Sequence, residues 1–293
     1  MYVPSAKLKA VQRWLLDEIV TALPVHGSAV AYRRGIGVRT NAGAHVGKSY
    51  LLRMDFEWFF PSILTATIRS YLSRVGAERL RLDPRWDVEP FLKLVCRFEH
   101  LVIGAPTSPA LANALLHDFD AELDRVWRPK GVTYTRYADD LFFSTNTPWL
   151  LGVVEQHVRG AVSGQFCGLG LKLNEAKTRH LSARAHRRVT GVVLGSDGSL
   201  SIGRGLKRKI RALIHQRATL SSEQAGYLAG ILAHAKSIEP EFRQRLIRKY
   251  GETVISQVQR GAVFTHNARH GRSDLEVQLG GWSGDPPEPR SNS

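Results

Sequence analysis

Three aspartates stand where an acid is costly. Asp55 closes the apolar run Tyr50-Leu51-Leu52-Arg53-Met54-Asp55-Phe56, and Asp139 and Asp140 lie within Tyr137-Ala138-Asp139-Asp140-Leu141-Phe142-Phe143. A carboxylate among apolar neighbours is tolerated only when paired, hydrogen-bonded or metal-bound. If a turn carrying Asp139 and Asp140 lies beside the end of a strand carrying Asp55, three like charges converge, and a divalent cation resolves the repulsion. Two Mg²⁺ ions about 4 Å apart would then clamp the attacking and leaving oxygens of a phosphoryl transfer. Adjacent aspartates are also ordinary solvated turn residues, and spacing alone leaves both readings open.

The flanking elements decide how such a cluster is held. Tyr50–Phe56 reads as a strand, Val132–Tyr137 and Leu141–Ser144 as two arms of a hairpin, and Leu169–Leu173 as a further strand. Ser5 caps a helix stepping through Leu8, Val11, Leu15 and Ile19 and ended by Pro24. Residues 27–48 are rich in Gly and Arg and read as hairpin or loop. A helix follows Pro61-Ser62, residues 77–90 form a polar connection, and Thr107-Ser108-Pro109 starts a helix with hydroxyl caps. That helix continues through Leu111, Leu115, Phe119 and Leu123, and another spans about 149–162. Val189–Leu194 and Ser199–Ile202 bracket the turn Gly195-Ser196-Asp197-Gly198 as a hairpin. From Gly203 to about Gln259 the pattern is helical, with breaks near Ser221 and Pro240, and residues 261–293 read as a flexible tail in which Phe264 and Trp282 are either docking anchors or tail residues.

The chain has 293 residues, 43% of them hydrophobic and 23% charged, which is a globular composition. Cys96 and Cys167 are too few for a disulfide framework and read as reduced, buried thiols. No secretory leader and no membrane-length apolar run is present in the sequence, so a cytoplasmic protein with no membrane partner is expected. The formal net charge is +15 and the pI about 10.2, which points to a polyanionic partner. Residues 176–217 hold eleven Lys or Arg and the single acid Asp197, so two thirds of the excess lies in one stretch. Its core is Arg204, Lys207, Arg208, Lys209, Arg211 and Arg217, better suited to phosphate contacts than to a merely solvated helix face.

The words around the aspartates resemble those of reverse transcriptases. Tyr137-Ala138-Asp139-Asp140 resembles the catalytic box, and Asp55-Phe56-Glu57-Trp58-Phe59-Phe60-Pro61-Ser62-Ile63 the catalytic box that precedes it in bacterial members. Gly104-Ala105-Pro106-Thr107-Ser108-Pro109-Ala110-Leu111-Ala112-Asn113 resembles the box against template–primer and incoming nucleotide, and Asn174-Glu175-Ala176-Lys177-Thr178 the next one. Asn41-Ala42-Gly43-Ala44-His45 and Val189-Thr190-Gly191 resemble two elements that mark the retron branch of the family. The resemblance runs from residue 4 to about 255. It implies an α+β fold with right-hand polymerase architecture: fingers and palm over 1–187, the palm an antiparallel sheet packed on helices, a primer-grip hairpin over 188–202, a helical thumb over 203–260, and the tail.

Residue by residue, the resemblance implies that Asp55, Asp139 and Asp140 hold two Mg²⁺ ions. Phe60 falls at the sugar gate that excludes a ribose 2′-OH, with Phe59 as a core residue. Arg33 and Arg34 face the triphosphate, Lys177 is a cation or proton donor near the pyrophosphate, and Gly104 and Ala105 let backbone approach the nucleotide. Asn41, His45, Val189, Thr190 and Gly191 are assigned to RNA recognition or priming, with a structural role as the alternative for His45. The basic helix with Arg204, Lys207, Arg208, Lys209 and Arg211 contacts RNA and primer, by shape and backbone. The implied partners are dNTPs, a cognate structured non-coding RNA, the DNA copied from it with an internal guanosine 2′-OH as primer, and an effector protein of an anti-phage system. A catalytically inactive RNA-binding relic and a reverse transcriptase of another bacterial defence class are the alternatives. Two features depart from the family pattern: Ile103 replaces a Gln that contacts the nucleotide sugar, and the stretch before Pro4 is short, so part of the fingers is missing, replaced or supplied otherwise.

Overall fold

Strand β1 (Tyr50–Glu57) organises the fold. Leu51, Leu52, Met54 and Phe56 in it are at most 2% exposed, so the strand is covered on both faces. Each such side chain contributes about 1.5–3 kcal/mol relative to exposure, which explains why a run without strict alternation is a central strand. The protein is described by a computed structural model that covers residues 4–75, 87–183 and 185–266, with side chains to residue 260.

Helix α1 (Ala6–Glu18) is capped by Ser5, and α2 (Val38–Ala44) precedes β1. After β1 come α3 (Phe59–Ser62), α4 (Thr65–Val75), α5 (Val88–Val95) and the small hairpin β2 (Cys96–Arg97) with β3 (His100–Leu101). Helices α6 (Ser108–Leu115) and α7 (His117–Trp127) lead into β4 (Thr133–Tyr137) and β5 (Asp140–Thr145). Then follow α8 (Leu150–Ser163), β6 (Lys172–Leu173), β7 (Arg179–Ser182), β8 (Arg188–Val189), β9 (Val192–Leu194) and β10 (Leu200–Ser201). The last described elements are α9 (Gly203–His215), α10 (Ser222–Ile238), α11 (Pro240–Tyr250) and α12 (Glu252–His266).

The main sheet is antiparallel. Strand β5 lies between β4 and β1, and the far side of β1 pairs with β7 through Tyr50–Arg53 and with β6 through Phe56–Glu57. Helices α7 and α8 pack against it, with Phe119, Leu123, Val154 and Val158 in the shared core. The chain divides into two compact units, one through Gly203 and one from Arg204 onward. The described residues of the second form a helical unit built on Ile210, Ile214, Leu228, Ile231, Leu232, Phe242, Leu246 and Ile255. A capping box of Ser221 and Gln224 starts α10, and Gly251, at φ +87°, separates α11 from α12.

Several expectations are corrected. Residues 27–48 are not only loop: Ala29 bridges Arg136 in parallel, and 38–44 is helix α2, held by buried Asn41 and Ala42 rather than by an apolar stripe. Thr107 and Ser108 start α6, but neither caps it; the Ser108 hydroxyl donates to the Val102 carbonyl at 2.9 Å instead. The helix from Thr107 breaks at Leu116 into α6 and α7. Residues 88–90 belong to α5, and 167–169 is a 3₁₀ turn, so the strand there shrinks to Lys172–Leu173. The hairpin over 189–202 is a three-stranded meander, because Thr190 (φ +46°) and Gly191 (φ +81°) form a two-residue turn of their own. Cys167 is exposed and Cys96 half-buried. Residues 261–266 continue α12, so that part is not tail; the rest of the expected tail, Trp282 included, lies outside the described residues, as does most of 77–90.

Candidate active site

The turn between β4 and β5 has two residues. Ala138 takes the left-handed region (φ +57°), Asp139 follows it, and Tyr137 pairs with Asp140 across the hairpin. Only Asp139 is therefore at the tip, while Asp140 is the first residue of β5. The β1–β5 register sets Asp140 directly opposite Asp55. Opposed residues of an antiparallel pair share a sheet face, so two distant words of the sequence meet at one end of the sheet. The peptide after Asp55 is held from both sides: the Phe56 N–H donates to the Asp139 carbonyl at 3.1 Å, and the Asn174 N–H donates to the Asp55 carbonyl at 2.8 Å.

Asp55 is 2% exposed, and Lys177 Nζ donates to its two oxygens at 3.0 and 3.2 Å. Burial and the neighbouring Asp55 charge push the Asp139 carboxyl above its ordinary value. Burial pushes Asp140 up to about 6, against the opposing pull of Arg53, whose Nε donates to Asp140 Oδ1 at 2.9 Å. Asp55 and Asp139 line a cleft of about 510 Å³ with Lys177, Asn174, Phe60 and Ile103; Asp140 turns to Arg53. Among the described residues no three carboxylate, imidazole or thiol groups converge on one point. The donor set nevertheless suits a hard divalent cation: carboxylate oxygens, partly desolvated, whose mutual repulsion such an ion removes.

The other expected residues divide. Phe60 faces the cleft, with its ring 5.2 Å from that of Phe59, which is 6% exposed in the core. Ile103, which replaces the expected Gln, is 44% exposed on the cleft rim, and Gly104 beside it has φ +88°, a conformation that suits glycine. Ala105 is buried. Arg33 donates to the Ala29 carbonyl at 3.1 Å, and Arg34 is exposed. Asn41, His45 and Val189 have no exposed surface, and the Thr190 hydroxyl is buried without a hydrogen-bond partner. The His45 imidazole lies 2.7 Å from both Ser144 Oγ and Thr135 Oγ1, and the Thr135 hydroxyl donates to Asn41 Oδ1 at 2.5 Å. Burial, with Lys48 nearby, lowers His45 to about 3, so its ring is neutral. Asn41 and His45 thus tie α2 to β4 and β5 and offer nothing to solvent. In the helical unit, Arg204, Arg208 and Lys209 are exposed, whereas Lys207 pairs with Glu239 at 2.7 Å and Arg211 lies over the Phe242 ring at 5.3 Å.

Arg53 and Arg136 escaped the sequence reading as site residues. Their signal is the same as that of the aspartates, a charge inside an apolar strand: Arg53 stands two residues before Asp55 and so on the same face, and Arg136 stands two before the turn residue Ala138.

The sequence matches the family described as reverse transcriptase (RNA-dependent DNA polymerase) over residues 1–227. It is 32% identical to the retron Ec83 reverse transcriptase of Escherichia coli over 88% of this chain and 84% of that one. Against the retron Mx65 reverse transcriptase of Myxococcus xanthus it is 35% identical over 85% of this chain and 60% of the relative. Among solved structures, Candida tropicalis telomerase with a TWJ fragment of telomeric RNA aligns with 94% of this chain and 56% of its own at 11% identity and a TM-score of 0.48. No helix among the described residues is long and apolar enough to cross a membrane. The chain belongs to the reverse transcriptase family of RNA-dependent DNA polymerases.

Proposed function

We propose that this chain is a retron reverse transcriptase that copies part of a structured RNA from its own locus into DNA, starting from the 2′-OH of an internal guanosine. The observation that carries the catalytic part is the β1–β5 register, which sets Asp140 opposite Asp55 with Asp139 at the adjoining tip. The retron relatives and the two retron-like words at 41–45 and 189–191 support the choice of template.

In this reading Asp55 and Asp139 hold Mg²⁺ from the cleft, and Asp140 completes the set from the neighbouring strand. When bound, two such ions lower the pKa of the primer hydroxyl and offset charge on the triphosphate and the leaving pyrophosphate. Lys177, already on the Asp55 carboxylate, brings its ammonium to the phosphate side of the cleft. Arg33 and Arg34 add positive charge toward the triphosphate. Phe60 closes the cleft against a ribose 2′-OH, and Gly104 lets backbone approach the nucleotide. Exposed Arg204, Arg208 and Lys209 contact RNA phosphates. An effector protein of an antiviral system is the expected partner.

The test is synthesis by the purified protein with RNA transcribed from its own locus, dNTPs and Mg²⁺. The expected product is DNA joined to RNA through a 2′,5′ branch and released by a debranching enzyme. DNA with a free or protein-linked 5′ end would place the protein in another class, and no DNA under any divalent metal would leave it a binding relic.

A further inference from the structure

Arg136 is among the largest fully buried side chains of the molecule, at 0% exposed. Its Nε donates to Asp120 Oδ1 at 2.9 Å and its Nη2 to Asp120 Oδ2 at 2.6 Å, with Asp120 itself at 0%. The Tyr134 hydroxyl donates to the same carboxylate at 2.7 Å. The remaining arm, Nη1, points elsewhere: it donates to Asn113 Oδ1 at 3.1 Å and to the Ala138 carbonyl at 3.2 Å. Asn113 in turn donates from Nδ2 to the Ala31 carbonyl at 3.0 Å. The backbone of Arg136 is gripped too, its N–H donating to the Ser28 carbonyl at 2.7 Å and its carbonyl accepting from the Val30 N–H at 2.9 Å.

A buried ion pair is weak evidence of stability, because desolvation offsets the attraction, and an apolar replacement of similar volume is often as stable. The geometry of this pair therefore asks for another reason. Ala138 is the left-handed residue immediately before Asp139. A non-glycine residue there is held by its surroundings, not by its own preference. The Arg136 fork is rigid and planar, so fastening two of its nitrogens to Asp120 fixes where the third must aim, and it aims at the Ala138 carbonyl.

We infer that Arg136 is a positioning residue for the catalytic turn: anchored by Asp120 and steered by Asn113, it fixes the Ala138 carbonyl and with it the direction of the Asp139 carboxylate. This rests on the proposed role of Asp139, which is established separately if synthesis by the wild type is abolished in Asp139→Asn. Through Asn113 the same guanidinium also links the turn to α6 and to the segment leading into Arg33.

The test is the full-length triple variant Arg136→Met, Asp120→Leu, Tyr134→Phe, which removes the buried charges together and leaves neither acid nor phenol unpaired. The assay is primer extension on an annealed RNA template and DNA primer with dNTPs and Mg²⁺, beside amide exchange on the free protein. The expected result is a kcat per folded molecule about 10–100-fold below wild type, faster exchange across Tyr137–Leu141, and template–primer affinity within about twofold. A kcat within about twofold of wild type, or unaltered exchange in that turn, overturns the assignment. Should the triple variant fail to fold, Asn113→Ala, which keeps the ion pair, decides by the same two readouts. There a several-fold fall in kcat with faster exchange supports the assignment, and wild-type values overturn it.

Discussion

At the scale of single residues, the proposed function turns on two carboxylates that share a cleft and one that does not. Asp139→Asn and Asp55→Asn each keep size and most hydrogen bonding but remove a charge that the metal would need. Each is expected to lower DNA synthesis by at least about 10³-fold, a loss in the range seen when an essential electrostatic group is removed. Melting temperature and RNA binding should be preserved, and scanning calorimetry with a binding assay checks both. Phe60 supports a second expectation. Its ring lies in the cleft with Phe59 and Tyr32 as ring neighbours, so Phe60→Ala opens space where a ribose 2′-OH would sit. Ribonucleotide incorporation relative to deoxyribonucleotide should rise about 10–100-fold in competition assays, the scale of a few kcal/mol of steric discrimination; unchanged selectivity would remove Phe60 from the gate. The acids were legible because a charge in an apolar run demands a partner. Arg53 and Arg136 obey the same rule, but in a chain with 41 Lys and Arg a cation in a strand does not stand out. What no linear reading could reach is that Asp140 turns to Arg53 while Asp139 faces the cleft, since that depends on which residue of the pair occupies the turn.

At the scale of elements, β1, β4, β5 and most helices were legible; β2, β3, β7 and α5 were not, and neither was α2. It spans seven residues, among them Arg39 and Gly43, and the imidazole buried at the β4–β5 face is that of His45, the residue that ends it. Its stability comes from hydrogen bonds to Thr135 and Ser144, which lie some ninety residues away and leave no trace in local periodicity. The meander resembles a single hairpin in the sequence for a related reason. Thr190 takes a left-handed conformation that threonine rarely adopts, so Thr190-Gly191 does not look like the turn it is. The brace has a consequence for acid stability. His45 titrates near 3 when folded and near 6.5 when unfolded. Because the folded value is depressed, its contribution is complete above about pH 6.5 and is lost as pH falls from there toward 3. By pH 5 the loss is about 2 kcal/mol, at 1.36 kcal/mol per unit. His45→Gln cannot take up the proton, so denaturant melts of variant and wild type should converge by about that amount between pH 7 and 5. Parallel curves would show that His45 is not the neutral, enclosed group that the geometry describes.

At the scale of the whole molecule, the excess of positive charge is the broadest feature of the sequence, and the structure divides it by task. In α9 the basic residues do not act as one patch. Lys207 pairs with Glu239, which also accepts from Arg245, and half-buried Arg211 lies over the buried Phe242 ring. Arg204 and Arg208 stand one turn apart on the exposed side, and Lys209 reaches the Tyr227 hydroxyl at 2.8 Å beside a ring that is 44% exposed. A count of charges along the chain could not separate the two groups, because the acid that claims Lys207 and the ring beneath Arg211 come from the α10–α11 junction and the first turn of α11. The separation is testable through salt. Taking one cationic side chain off an RNA phosphate flattens the plot of log affinity against log salt by about 0.7–0.9, depending on whether the RNA is single- or double-stranded. Arg204→Gln with Arg208→Gln should therefore weaken RNA binding at low salt and reduce the slope by about 1.5, with little change in melting temperature. Lys207→Gln should do the reverse: it removes a cation from a buried carboxylate still held by Arg245, lowers stability and leaves the slope in place. Filter binding over a salt series separates these outcomes, and an unchanged slope in the double variant would move the RNA-binding surface off this helix.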